Sequence, residues 1–236
     1  LSQNYQFIYG WLDFYSYNNS GYLEVGNYYK GKMYPKKNVL KEILLFSFNH
    51  TTFFSKYFLN RWIVSIVNKI IIYTAKKSRS NIISLYNYYY PLKNINLNKI
   101  FKEGVMELQI LIEEKNINNI FKKLKIIMNK HNIPSCFMGI KFQKKDNFKL
   151  SFNRYGYSFS IVFSKKVTHD PQYNLFIKEL KKLIFKKKIF LNLTKDFSIN
   201  NMEYIKKNKK KFLYYKNKYD KKNILYSDFA KRHNLT

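Results

Sequence analysis

A chain of 236 residues with 44 Lys and Arg against 14 Asp and Glu carries a formal charge of +30, and its length suits one or two domains. Hydrophobic residues make up 46%, enough for a packed core, which excludes a disordered chain. The 22 Tyr and 21 Phe accompany abundant Asn, Lys and Ile, as in drift of an AT-rich coding sequence, so the charge reads as compositional and no specific nucleic-acid partner is expected. A single cysteine, Cys136, excludes an internal disulfide or a Cys-rich zinc site, and His50, His131, His169 and His233 lack the spacing of a helical metal pair. No metal site is expected. The seven glycines form neither G-x-G-x-x-G nor a P-loop, so the chain has no phosphate cradle of its own. Its most apolar region, 43–75, is broken by His50, Lys56, Arg61 and Lys69, and its longest uncharged stretch after Arg61, Trp62 to Asn68, falls short of the ~20 residues a membrane-spanning helix needs.

Residues 5–30 read as aromatic strands joined by a turn at Asn18-Asn19-Ser20-Gly21, and 34–41 as a polar linker. Over 52–75 a helix is predicted, with Leu59, Ile63, Ile66 and Ile70 as its apolar face. The stretch 76–103, around Tyr88-Tyr89-Tyr90-Pro91, reads as loop with short helical pieces. Val105 to Ile112 alternates as a strand, which puts Glu107 and Gln109 on one side of it. A helix follows with Ile117, Ile120, Leu124, Ile127 and Met128 in one stripe. Ser135 to Phe142 is the next strand, then Leu150 to Phe163, whose Tyr155, Tyr157, Phe159, Ile161 and Phe163 share a face. Asp170-Pro171 signals a helix start, with Tyr173, Phe176, Leu180 and Leu183 as the buried stripe, and Ile189 to Leu193 is the last strand. Beyond Thr194 the chain is basic and helical, ending at 226–236.

The fold class is therefore α+β: an antiparallel sheet with a ferredoxin-like β-α-β-β-α-β core, both helices on one face, plus a C-terminal helical segment. This topology serves many functions. One is RNA recognition, and Arg154-Tyr155-Gly156-Tyr157 invites that reading. It places Tyr where the motif needs Gly and Gly where it needs an aromatic, so an aromatic core face is favoured over a base-stacking one.

Taken in order, Trp11-Leu12-Asp13, Leu59-Asn60-Arg61-Trp62 with Asn68, Tyr89-Tyr90-Pro91-Leu92, Gly104-Val105-Met106-Glu107-Leu108-Gln109, Leu150-Ser151-Phe152, Thr194-Lys195-Asp196 and Tyr226-Ser227-Asp228-Phe229-Ala230-Lys231-Arg232 resemble one family. It is the decaprenylphosphoryl-β-D-ribose oxidase-like group of FAD-linked oxidases, of the vanillyl-alcohol-oxidase type of fold. The resemblance is collinear over nearly the whole chain, and its most specific part is the Thr-Lys-Asp strand end with the downstream Ser-Asp-Phe-Ala-Lys-Arg ending.

The resemblance implies an FAD-dependent oxidoreductase, of the kind used in cell-envelope biosynthesis, that oxidises a secondary alcohol of a sugar or polyprenyl-phosphosugar by hydride transfer to flavin. Residues 1–193 would be the substrate (cap) domain and 194–236 the segment returning to an FAD-binding domain. Leu1 stands where an initiator Met would, and Tyr5 to Asp13 reads as strand interior. The chain is accordingly expected to be the downstream piece of a longer protein, unable to hold FAD or to act by itself. By position, Lys195 resembles the family's active-site lysine near the flavin, holding the substrate hydroxyl or assisting its deprotonation. Gln109, Lys141 and Tyr89 match positions at the substrate pocket, and Trp11 one at the domain junction. Glu107 stands where glutamine is usual, a negative charge expected to pair with Lys141 or to change substrate preference, and Ser160 where some members have cysteine. The resemblance also implies a short-chain reductase partner and a cytoplasmic site of action with peripheral membrane contact. The alternatives are a sugar-1,4-lactone oxidase of the same fold, although Leu193-Thr194-Lys195 lacks the His and Trp usual there, and a basic RNA-binding protein.

Overall fold

The computed structural model describes residues 4–15, 20–31, 61–77, 82–89, 101–135, 137–146, 152–187, 189–192, 194–195, 202–232 and 235. Strands β1 (Phe7–Leu12) and β2 (Gly21–Gly26) pair as an antiparallel hairpin, and helices α1 (Arg61–Lys77) and α2 (Leu85–Tyr89) follow. The predicted linker at 34–41, and Leu59 at the head of the first helix, lie outside the described residues. Then come β3 (Val105–Ile112), α3 (Ile117–Lys130), β4 (Phe137–Gln143), β5 (Gly156–Ser164), α4 (Gln172–Lys187), β6 (Phe190–Leu191), α5 (Met202–Tyr219) and α6 (Asp228–Arg232).

The sheet has six strands in the order β2-β1-β4-β5-β3-β6, with every pairing antiparallel. The last four are the strands predicted from Val105 onward. The first two were not expected in the same sheet: β1 takes the open edge of β4, with Tyr9 opposite Lys141 and Trp11 opposite Gly139. At Gly10 the side chains of Ile140 and Leu23 on either side fill the space a side chain would take, with a Cβ 2.5 Å from both Ile140 Cγ2 and Leu23 Cδ2.

One face of the sheet is covered by both predicted helices. Met106, Leu108, Ile110 and Ile112 of β3 and Phe159, Ile161 and Phe163 of β5 pack in one core with Ile120, Leu124 and Met128 of α3 and Tyr173, Phe176, Leu180 and Leu183 of α4. Full burial of such side chains contributes about 1.5–3 kcal/mol each, so this layer supplies most of the drive to fold. The Asp170 carboxylate accepts the Gln172 backbone N–H at 2.8 Å, which fixes the start of α4 as its sequence indicates. Strand boundaries shift. β5 begins at Gly156 rather than Leu150, and Tyr155 lies ahead of it, exposed. The cause is local: at Gly156 (φ +158°) a Cβ would meet Ile112 O at 2.4 Å, so only glycine lets the strand start against the end of β3. β4 starts at Phe137 rather than Ser135, and β6 is two residues long instead of five.

On the other face α1 lies over the hairpin side, in a different rotation from that predicted. Val64, Asn68 and Ile72 are buried, while Ile66 and Ile70 are exposed. A polar residue sets the rotation. Trp11 Nε1–H donates to Asn68 Oδ1 at 2.9 Å, and Asn68 Nδ2–H donates to the buried Asp13 carboxylate at 3.1 Å. Trp11, Val64 and Phe101 form a second core there, joined by Tyr15, Tyr22, Ile71, Val105 and Val162.

Candidate functional site

The polar side chains predicted for the site share the sheet face that α3 and α4 leave uncovered. Gln109 is opposite Ser160, and Ser160 is opposite Gly139. Ser158 is opposite Lys141, which is opposite Tyr9. Because neighbours in register point to the same side, Glu107, Gln109, Ser158, Ser160, Lys141 and Tyr9 form one patch across four strands.

The last member arrives from beyond β6. Asn192 N–H donates to Gln109 O at 2.9 Å, and its side-chain amide donates to Gln109 Oε1. Its Oδ1 accepts the Thr194 N–H at 3.1 Å and the Thr194 hydroxyl at 2.7 Å, and the Lys195 N–H reaches Asn192 O at 3.2 Å. This tight Asx turn folds the chain back over β3. Lys195 Nζ then lies 2.7 Å from Glu107 Oε2, in a half-buried ion pair, and Glu107 Oε1 accepts the Ser160 hydroxyl.

Lys141 lies 5.7 Å above the Tyr9 ring. Burial pushes its ammonium below the ordinary lysine value, the Lys195 charge adds to that, and Glu107 opposes it. Burial and the nearby Glu24 carboxylate raise the Tyr9 phenol, which keeps it protonated. Tyr88 packs edge-on to Tyr9, with ring centroids 6.5 Å apart. Ser158 is buried, and its Oγ has no hydrogen-bond partner among the described residues.

The structure thus brings together five of the predicted residues: Lys195, Glu107, Gln109, Lys141 and Ser160. The carboxylate pairs with Lys195, and not with Lys141 as its charge had suggested, because the Asn192 turn carries Lys195 directly over Glu107. Tyr89 ends α2 and Asp196 follows Lys195; the Tyr89 side chain and the whole of Asp196 lie outside the described residues. Trp11 belongs to the second core, with its indole on Asn68. Two contributors escaped sequence reasoning. Asn192 had a signal, since Asn two residues ahead of Thr at a strand end is an Asx-turn pattern. Ser158 shares its side with Ser160 by period two alone.

No protein-family profile and no curated protein matches the sequence. Among the described residues no helix is long and apolar enough to cross a membrane. Chemically, the patch offers two ammonium groups, one carboxylate, hydroxyls and an amide on a rigid sheet. That set suits hydrogen bonding to a hydroxylated ligand and movement of a proton.

Proposed function

We propose that this chain is the substrate-binding part of an FAD-dependent oxidoreductase that oxidises a secondary alcohol of a sugar or polyprenyl-phosphosugar, with a ferredoxin-like core. Residues 1–193 serve as the substrate domain and 194–236 as the segment returning to a flavin-binding domain. The observation that carries the reading is the convergence of Lys195, Gln109 and Lys141, three polar groups from separate parts of the chain, on one sheet face. The spatial order β6-β3-β5-β4 supports the core type.

The residues present fit the reacting end of a flavin and not its phosphates. Lys195, about one-third exposed at the rim of the patch, is a cation suited to the electron-rich edge of the ring, whereas the sequence has no glycine-rich cradle. When bound, the flavin supplies a hydride acceptor. The chain's own groups bind and orient: Gln109 Oε1 is held by Asn192, so its amide N–H groups are directed to a ligand oxygen, and Lys195 donates a hydrogen bond to the substrate hydroxyl. The RNA-binding alternative requires aromatics on the uncovered face. There β3 and β5 carry Glu107, Gln109, Ser158 and Ser160, while Phe159 and Phe163 belong to the core under α3 and α4.

The test is substrate-dependent flavin reduction by the full-length gene product, with a farnesylphosphoryl pentose as probe. The Lys195→Ala variant is expected to retain FAD and to lose about 10²-fold in the rate of flavin reduction. A normal rate in that variant, or a parent protein that neither binds FAD nor is reduced, counts against the reading.

A further inference from the structure

We infer that Lys141, and not Lys195, takes the proton of the substrate hydroxyl, with Glu107 as the positioning residue that commits Lys195 to the role of hydrogen-bond donor. The inference rests on the oxidase reading above and assigns roles within that site.

The two lysines differ in what holds them. Lys195 Nζ is 2.7 Å from Glu107 Oε2, and the same carboxylate is fixed by the Ser160 hydroxyl, so the ammonium is engaged by an anion that is itself anchored to β5. To accept a proton from substrate, Lys195 would first have to give one up inside that pair. Lys141 makes no ion pair among the described residues. The groups facing it are the Tyr9 ring of β1, Ser158 of β5, Glu107 of β3 and Lys195 beyond β6, with Tyr88 of α2 and Glu24 of β2 behind Tyr9. Burial, the largest influence, disfavours an ammonium there and Lys195 repels one, while the Glu107 carboxylate, which is paired with Lys195, opposes them; the Tyr9 phenol stays protonated and supplies no anion. The neutral amine is therefore accessible to Lys141.

In the reaction the alcohol O–H bond breaks and its proton goes to Lys141 Nζ. With a flavin bound, the carbinol C–H bond would break and its hydrogen pass to the flavin as hydride while the C=O bond forms, so that the alcohol would be oxidised by two electrons and the flavin reduced by two. Lys195 donates a hydrogen bond to the oxygen while this happens.

Two measurements test the assignment. In the first, the 236-residue chain is acetylated competitively across a pH series beside a standard peptide with a single lysine, and each lysine is quantified by peptide mass spectrometry. The half-labelling pH of Lys141 is expected below that of the standard. A Lys141 midpoint at or above the standard overturns the assignment whatever the flavin does.

In the second, the full-length gene product with FAD is given the farnesylphosphoryl pentose. Lys141→Ala is expected to lose about 10²-fold and to regain part of the rate with added methylamine. Lys141→Arg keeps the cation but cannot lose its proton, and should stay impaired, while Lys195→Arg keeps substantial rate. Amine rescue confined to Lys195→Ala overturns the inference and leaves the oxidase reading intact. A lowered Lys141 midpoint without flavin reduction in the parent protein overturns both.

Discussion

Asn68 is the residue that decides how α1 sits on the sheet, and its replacement by leucine isolates that role. Leucine keeps the branched outline of the side chain, though it is larger, and removes the bond from the Trp11 indole and the bond to the Asp13 carboxylate. All three residues are buried. A neutral hydrogen bond contributes about 1 kcal/mol net and one to a charged group about 1.5–3, so Asn68→Leu should destabilise by about 2–4 kcal/mol. That is a large part of the roughly 5–15 kcal/mol of a typical domain. Urea unfolding followed by tryptophan emission reads the effect cleanly. Of the two tryptophans, Trp62 is 80% exposed and Trp11 is buried, so the folded-state blue shift reports Trp11. A second variant, Trp11→Phe, combined with Asn68→Leu and followed by far-UV circular dichroism because the emission reporter is gone, should show coupling of about 1 kcal/mol in a double-mutant cycle. An Asn68→Leu protein within ~0.5 kcal/mol of the parent, with unchanged emission, would refute the argument that this network sets the helix rotation.

Two further outcomes follow from the same physics. Ser158→Ala removes a buried hydroxyl that has no partner among the described residues, and should raise the urea midpoint by the equivalent of about 1 kcal/mol; a loss of stability would mean the hydroxyl is satisfied in solution. The Glu179 carboxyl is held below its usual range, first by the hydrogen bond from Lys130 and then by His131, in a bridge between α3 and α4. A carboxylate with a depressed folded-state value stabilises the protein above its unfolded value and ceases to do so as pH falls through the folded one. The difference in urea midpoint between parent and Glu179→Gln should therefore be present near neutral pH and vanish in acid; a difference independent of pH would refute it.

What the sequence revealed and what it hid divide along periodicity. The two helix stripes, Ile120-Leu124-Met128 and Tyr173-Phe176-Leu180-Leu183, are buried as their spacing predicts, because one covered face and one solvated face leave a clear repeat. The α1 stripe misled because its docking surface is organised by a buried asparagine, which a hydrophobic pattern scores as exposed. The hairpin's place beside β4 was hidden for another reason: it is a pairing of strands far apart in the chain, which no local periodicity specifies. At the site, Glu107 and Gln109 were legible by period two. The partner choice of Glu107 was not, since it depends on where the Asn192 turn delivers Lys195.

The uncovered face of the sheet is itself divided. Toward α1 it is closed by Trp11, Tyr22, Val64 and Val162, and beside them it carries Glu107, Ser160, Lys141 and Lys195. If that second half existed only to stabilise the fold, apolar side chains would serve as well, because a half-buried ion pair gains little over hydrophobic neighbours of similar volume once desolvation is counted. Glu107→Leu combined with Lys195→Met should then be as stable as the parent or more stable by about 1 kcal/mol, whereas Lys195→Met alone, which leaves the Glu107 carboxylate with the Ser160 hydroxyl and no cation beside it, should lose about 1 kcal/mol. Urea midpoints of the three proteins decide the matter. A double variant weaker than Lys195→Met alone would make the pair a structural element of the sheet. A double variant as stable as the parent would mean that stability is not what keeps the ion pair in place, as the oxidase reading requires.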